Sequence, residues 1–178
     1  VVARGVLRTL LGNYLELPPA ALRFVYNEYG KPALAPHHDR APQFNLAHSG
    51  DWALFAFVYG AEIGVDLEAI RTGFDFTPLA EQFFSPQERA ELHTMPAHLQ
   101  SAAFFHCWTR KEAYIKARGQ GLSLPLTSFS VTLRPDEPPR IKDANDGTEV
   151  AQPWTLYDLA PGNGYAGALA VQGAGWSL

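Results

Sequence analysis

Residues able to do phosphate and metal chemistry are concentrated in GVDLE at 64–68 and WTRKEAYIKARGQG at 108–121. Asp66 and Glu68 stand two apart in a stretch that reads as a strand. Their side chains therefore leave one face while Val65 and Leu67 leave the other, towards a core. Adjacent carboxylates repel one another, and a cation between them relieves the repulsion. An oxygen pair of this kind suits Mg²⁺, which takes one or two carboxylates and completes its shell with water and substrate phosphates. Two solvent-facing acids at a strand end fit the same spacing. In the second stretch Trp108, Glu112 and Lys116 fall at i, i+4 and i+8, one stripe of a helix. A surface Glu–Lys pair would contribute only about 0.3–0.5 kcal/mol there. Phe104, Phe105 and Cys107 bracket the stripe, however, so the helix packs, and a packed charge needs a partner. Asp66 and Glu68 with a shared cation would supply one for Glu112. Lys111, on the neighbouring face, could reach a phosphate.

Other polar residues carry weaker signals. His48 sits where a strand meets a turn, a place in which a hydrogen-bonded structural histidine is the commoner occupant. Lys31, in YGKP, is exposed by its turn. His37 and His38 have no Cys or acid at metal spacing and are assigned nothing. Cys107 lacks a local His or Asn partner and reads as a small buried hydrophobe.

These residues must be positioned by mixed elements. Apolar spacing predicts a helix over 4–15, ended by Pro18 and Pro19, and strands at 22–26, from 44, over 52–59 and over 62–68. FFSPQERAEL marks a helix start: Ser85 as N-cap, Pro86 at the first position, and Glu88 placed for a capping box. A longer helix over 101–118 is stopped by Gly119 and Gly121, and strands follow at 129–133, 154–159 and 165–171. Without regular βαβ alternation the class is α+β. NLAHSGDWALFAFVYG (45–60) also aligns without gaps to DLAPGNGYAGALAVQG (158–173), with Trp52 matched to Tyr165. A true repeat would mean two related halves with a ligand cleft at their junction.

The 178 residues, 47% apolar and 18% charged, are those of a folded domain. A formal charge of −4 and a pI near 5.8 argue against a general nucleic-acid binder. One cysteine permits no internal disulfide, and no apolar run reaches the length of a membrane span, so a cytoplasmic protein is expected.

In order along the chain, YGKP (29–32), FNLAHS (44–49), GVDLE (64–68), FFSPQE (83–88) and WTRKEAYIKARGQGLSLPL (108–126) resemble the Sfp-type 4′-phosphopantetheinyl transferases. The resemblance runs from Arg8 onwards. It implies two similar α+β halves about a pseudo-twofold axis, here 1–62 and 63–178, with the active site between them. The implied reaction moves 4′-phosphopantetheine from coenzyme A to a serine of an apo acyl or peptidyl carrier protein, releasing adenosine 3′,5′-bisphosphate. Asp66, Glu68 and Glu112 are the implied Mg²⁺ ligands, and Glu112 and Lys116 the catalytic pair. Lys116, Lys31 and His48 are expected on the coenzyme A phosphates, with Arg8 and Lys111 as further contacts. A monomer is expected, and the charge balance and short apolar runs already argue against nucleic acid or a membrane as partner. Ala47 departs from the family, whose members commonly have Ser there, and the first half is expected to lack its initial segment. A metal-dependent phosphodiesterase using the same acids, and a non-catalytic relative that binds coenzyme A or carriers, are the alternatives. The carrier is expected to dock near 72–82 and the FFSPQE helix, through exposed Phe74 and Phe76.

Overall fold

The computed structural model describes residues 2–38, 41–71, 73–134, 136–144 and 153–178. Its elements are α1 (Val2–Leu15), β1 (Phe24–Tyr26), β2 (Pro32–Leu34), β3 (Gln43–Ser49), β4 (Trp52–Val58), β5 (Ile63–Ala69), α2 (Thr77–Phe83), α3 (Pro86–Thr94), α4 (Ala97–Arg118), β6 (Phe129–Val131), β7 (Ile141–Ala144), β8 (Trp154–Leu159) and β9 (Tyr165–Gln172). Antiparallel hairpins and helices without βαβ alternation make this the expected α+β arrangement. No helix among the described residues is long and apolar enough to cross a membrane.

β5, the GVDLE strand, is where the elements converge. It pairs with β9, which pairs with β8. The β3–β4 hairpin packs alongside it through Ala47, Val65, Leu67 and Leu169, and Asn45 Oδ1 accepts the Val65 N–H at 3.0 Å. The other side of the sheet meets α4. Gly64 permits that contact, because a Cβ there would lie 2.1 Å from the carbonyl oxygen of Ala113 and 2.3 Å from the nitrogen of Ala117. A glycine in a strand interior often marks such close backbone approach. α4 begins just after Pro96, one turn earlier than apolar spacing indicates, and ends at Gly119 in the left-handed region (φ 66°). Its inward face joins Phe84, Phe104, Tyr114 and Phe129 in the main core. Cys107 lies fully buried there, as expected.

The sequence repeat corresponds to two antiparallel hairpins, β3–β4 and β8–β9. Their registers differ by one residue. Leu46 faces Phe55, whereas Leu159 faces Gly167 rather than Ala168, the gap-free counterpart of Phe55. The longer connection before Tyr165 absorbs the difference, since a register slip changes which side chains share a face. The matched aromatics nonetheless cross over. Tyr165's hydroxyl stands 2.7 Å from a Cβ built on Gly50, Trp52's ring stands 3.5 Å from one built on Gly162, and the two rings are 5.9 Å apart.

Candidate functional site

The Gly64 contact sets β5 against the last turns of α4 and so brings GVDLE to the Glu112–Lys116 stripe. Lys116 Nζ donates to Asp66 Oδ1 at 2.6 Å and to the Val65 carbonyl at 3.3 Å. Asp66 is buried, and its other oxygen, Oδ2, has no hydrogen-bond partner among the described residues. Glu68 is half-buried and accepts from Ser49 Oγ at 3.3 Å, while Ser49 Oγ accepts the Ala69 N–H at 3.0 Å. Burial raises the carboxyl of Asp66 above the ordinary range, against the opposing charge of Lys116. Glu68 is raised by burial and then by Asp66. Glu112 is raised by burial and by Asp66, with Lys116 opposing and Glu68 adding. The charge of Asp66 is thus felt by both Glu68 and Glu112, with Lys116 opposing at all three acids and Arg71 at Glu68.

Among the described residues, no three Asp, Glu, His or Cys side chains are already gathered as a ready metal cluster. Lys116 engages Asp66 instead. The donor set still fits a hard cation: Asp66 raises both Glu68 and Glu112, Lys116 and Arg71 offset part of the charge, and the buried Oδ2 lacks a donor among the described residues. Mg²⁺ is the cation such oxygens suit.

Two adjoining clefts open beside this unit. One, of about 260 Å³, is bordered by Lys31, Glu112 and Lys116. The other, of about 540 Å³, is bordered by Arg4, Arg8, Phe24, Tyr26 and His48. Gly30, Pro32, Asn45 and Leu46 line both, so the lobes are continuous. His48 is exposed on the wall of the larger lobe. Arg8 lies over the Phe24 ring at 4.8 Å, and its Nη1 donates to the carbonyls of Pro19 (2.9 Å) and Leu22 (3.2 Å).

Three expectations need correction. Lys111 does not face the clefts. It is 1% exposed, and its ammonium donates to both oxygens of Glu88 (2.8 and 2.7 Å) and to the Phe129 carbonyl (2.7 Å), so it cannot reach coenzyme A. Lys31 borders its cleft but is no solvated turn lysine. Its ammonium donates to Glu62 Oε2 (2.7 Å) and the Ala117 carbonyl (2.8 Å), where the C-terminal end of α4 attracts a cation. Phe74 and Phe76 are half-buried against Phe104 rather than freely exposed, and Thr72, at the start of the expected docking stretch, lies outside the described residues.

Residues the sequence reading left unassigned also shape the site. Asn45 ties β3 to β5, and Ser49 holds Glu68. Their alternation along β3 was visible, but nothing local said that β3 abuts β5. Arg110, fully buried, holds Asp158 with two bonds (2.8 and 2.6 Å) and the Thr132 carbonyl at 2.6 Å.

Residues 62–170 match the family model of the 4′-phosphopantetheinyl transferase superfamily. The chain is 39% identical over 177 residues to the 4′-phosphopantetheinyl transferase HetI of Nostoc, covering 97% of this chain and 70% of that protein. It is 40% identical over 138 residues to the transferase Sfp of Bacillus subtilis, covering 72% of this chain and 59% of that one. Several other relatives are likewise matched over only about half of their length. In fold the chain is similar to a holo-(acyl-carrier-protein) synthase from Bacillus anthracis, with TM-score 0.52, 20% identity, and coverage of 64% of this chain and 96% of that one. The family match covers both GVDLE and the WTRKEAYIKARGQG helix, and the chain belongs to the 4′-phosphopantetheinyl transferase superfamily.

Proposed function

We propose that this chain transfers 4′-phosphopantetheine from coenzyme A to a serine hydroxyl of an apo acyl or peptidyl carrier protein, releasing adenosine 3′,5′-bisphosphate. The observation that carries this reading is the union of Asp66, Glu68, Glu112 and Lys116 beside a cleft whose far lobe holds Arg4, Arg8 and His48. The names of its relatives agree. The site lies where residues 1–62 meet residues 63–178, the proposed halves.

Asp66, Glu68 and Glu112 would hold Mg²⁺, which when bound supplies Lewis-acid stabilisation of charge on the pyrophosphate. Arg8 and His48 bind the nucleotide phosphates and set the pyrophosphate towards the smaller lobe. The carrier serine oxygen attacks the phosphorus that bears the pantetheine arm, and the bond from that phosphorus to the bridging oxygen of the nucleotide breaks. The serine proton passes to the Glu112 carboxylate or to a water it holds. Lys116, part-exposed and one helical turn beyond Glu112, offers its ammonium to the departing phosphate as charge develops there. With both halves in one chain a monomer suffices, and a single buried cysteine accords with a reducing cytosol.

The test is an intact-mass assay with coenzyme A, Mg²⁺ and a panel of apo carrier proteins. A phosphopantetheine mass increment on a carrier is expected, and it should vanish with Glu112→Gln while coenzyme A still binds. No increment on any carrier overturns the reading. Near-normal turnover in Glu112→Gln removes that residue from the site.

A further inference from the structure

One residue before Glu112, Lys111 is sealed from water together with Glu88; each is 1% exposed. Every polar atom of the pair is used. The ammonium's three donors meet Glu88 Oε1, Glu88 Oε2 and the Phe129 carbonyl. The carboxylate further accepts the Ser85 N–H at the start of α3 and the Val131 N–H in β6, both at 2.8 Å. Glu88 is therefore more than the second half of a capping box: it joins α3, β6 and α4 at one point. The Lys111 ammonium also stands 4.4 Å from the centre of the Phe129 ring.

Stability is a poor reason for such a pair. Desolvating two charges costs several kcal/mol each, and well-packed apolar replacements are often as stable or more so. What apolar contacts lack is direction. A fully satisfied buried network admits one arrangement, whereas a greasy contact tolerates sliding and rotation. On a helix with 3.6 residues per turn, a rotation at Lys111 carries Glu112 and Lys116 through the same angle. Both must meet Asp66 on β5, a separate element.

We propose that Lys111 and Glu88 are positioning residues, a clamp that sets the rotation of α4 so that Glu112 and Lys116 face Asp66 and Glu68. This rests on the assignment of those four residues to the active site. Arg110 pins the same turn of α4 to Asp158 on β8. Arg110 also holds the Thr132 carbonyl just beyond β6, so loss of the Lys111 clamp leaves the helix attached there but free to pivot on its α3 side. Misplacement of reacting groups by about 1 Å can cost about 100-fold in rate.

The decisive variant is Glu88→Gln with Lys111→Met, which removes both charges while keeping length and volume. Circular dichroism is expected to stay near wild type and Tm to fall by a few degrees, because the Phe129 carbonyl loses its donor. The kcat for carrier modification should fall about 10- to 100-fold, the usual effect of losing a group that orients a ligand. KM for coenzyme A should change less than twofold, and Mn²⁺ affinity, read by electron paramagnetic resonance, should weaken in parallel with kcat. A folded double variant with wild-type kcat and Mn²⁺ affinity overturns the clamp while leaving the transferase reading intact. If the double variant does not fold, Glu88→Asp serves, because it keeps both charges and only draws the carboxylate back by one methylene: a kcat loss at constant coenzyme A KM supports the clamp, and unchanged kcat refutes it. Wild-type protein that neither modifies any carrier nor binds Mn²⁺ would overturn the site assignment, and the clamp with it.

Discussion

On one face of α4, Lys111 meets Glu88 with every donor and acceptor matched; on the adjoining face, Glu112 feels the charge of Asp66 and Glu68, with Lys116 and Arg71 as the cations beside these acids. The first cluster is sealed and balanced. The second is half open, and Asp66 Oδ2 has no donor among the described residues. Both draw on the same chemistry, carboxylates and lysines removed from bulk water, yet only the second leaves something for a ligand to do. A balanced buried pair holds its neighbours in place, whereas an excess of carboxylate is relieved by a cation. Perturbed groups of this kind concentrate at functional sites.

The strongest way to break the comparison is to unbalance the sealed cluster. Lys111→Ala strands the Glu88 carboxylate and the Phe129 carbonyl in the core. The expected cost is about 3–5 kcal/mol, roughly 10 °C in Tm for a chain of this length. The double exchange of Glu88 and Lys111 should recover most of that loss in urea or thermal melts. A Lys111→Ala protein as stable as wild type would show that the pair is not sealed.

Gly64→Ala attacks the link between the clusters and should rank next. An added methyl meets the backbone of Ala113 and Ala117, which a flexible side chain cannot relieve. The expected cost is about 3 kcal/mol, at the upper end for overpacking. Because the strand must also move off α4, the Mn²⁺ affinity of any folded fraction should fall as well. Unimpaired metal binding would show that β5 and α4 need not be so close.

How much of this was legible beforehand depended on distance along the chain. The Ser85–Glu88 capping box is a local pattern, and it is present as read. The shared face of Asp66 and Glu68 follows from strand alternation, and the β8 and β9 spans from their own residues. That Glu88 also captures Lys111, 23 residues later, was not legible, because it requires β6 to be packed against α3. Lys31 looked like a surface lysine for the same reason: its acceptors, Glu62 and the Ala117 carbonyl, are 31 and 86 residues away. The approach of Glu112 to Asp66 was suggested by a packed charge's need for a partner and made specific by resemblance to a family. Gly64 was the local trace of that approach, since a glycine amid β-branched residues marks a backbone that something must come near. The hairpin repeat was visible too, but its one-residue shift in register depends on the connections, which the matched residues do not encode.

The subtlest effect should be on pH. In the folded chain burial raises the proton affinity of Asp66, Glu68 and Glu112, so the folded state holds more protons than the unfolded state from about pH 4 up to their raised values. Where the folded state binds more protons, stability falls as pH rises. The metal-free protein, melted in chelator, should therefore lose stability across that window from these groups, and level off above it. Each proton taken up contributes a slope of at most about 1.4 kcal/mol per pH unit. For the half-buried Glu68 and Glu112 solvent screening reduces it. Glu112→Gln removes one member, so its Tm advantage over wild type in chelator should grow from acid towards neutral pH and then hold constant. Saturating Mg²⁺ should reverse the ranking, because only the wild-type protein retains all three acids for the ion. A Glu112→Gln advantage that shrinks with rising pH would mean that Glu112 is stabilised as a carboxylate, making the open cluster as balanced as the sealed one.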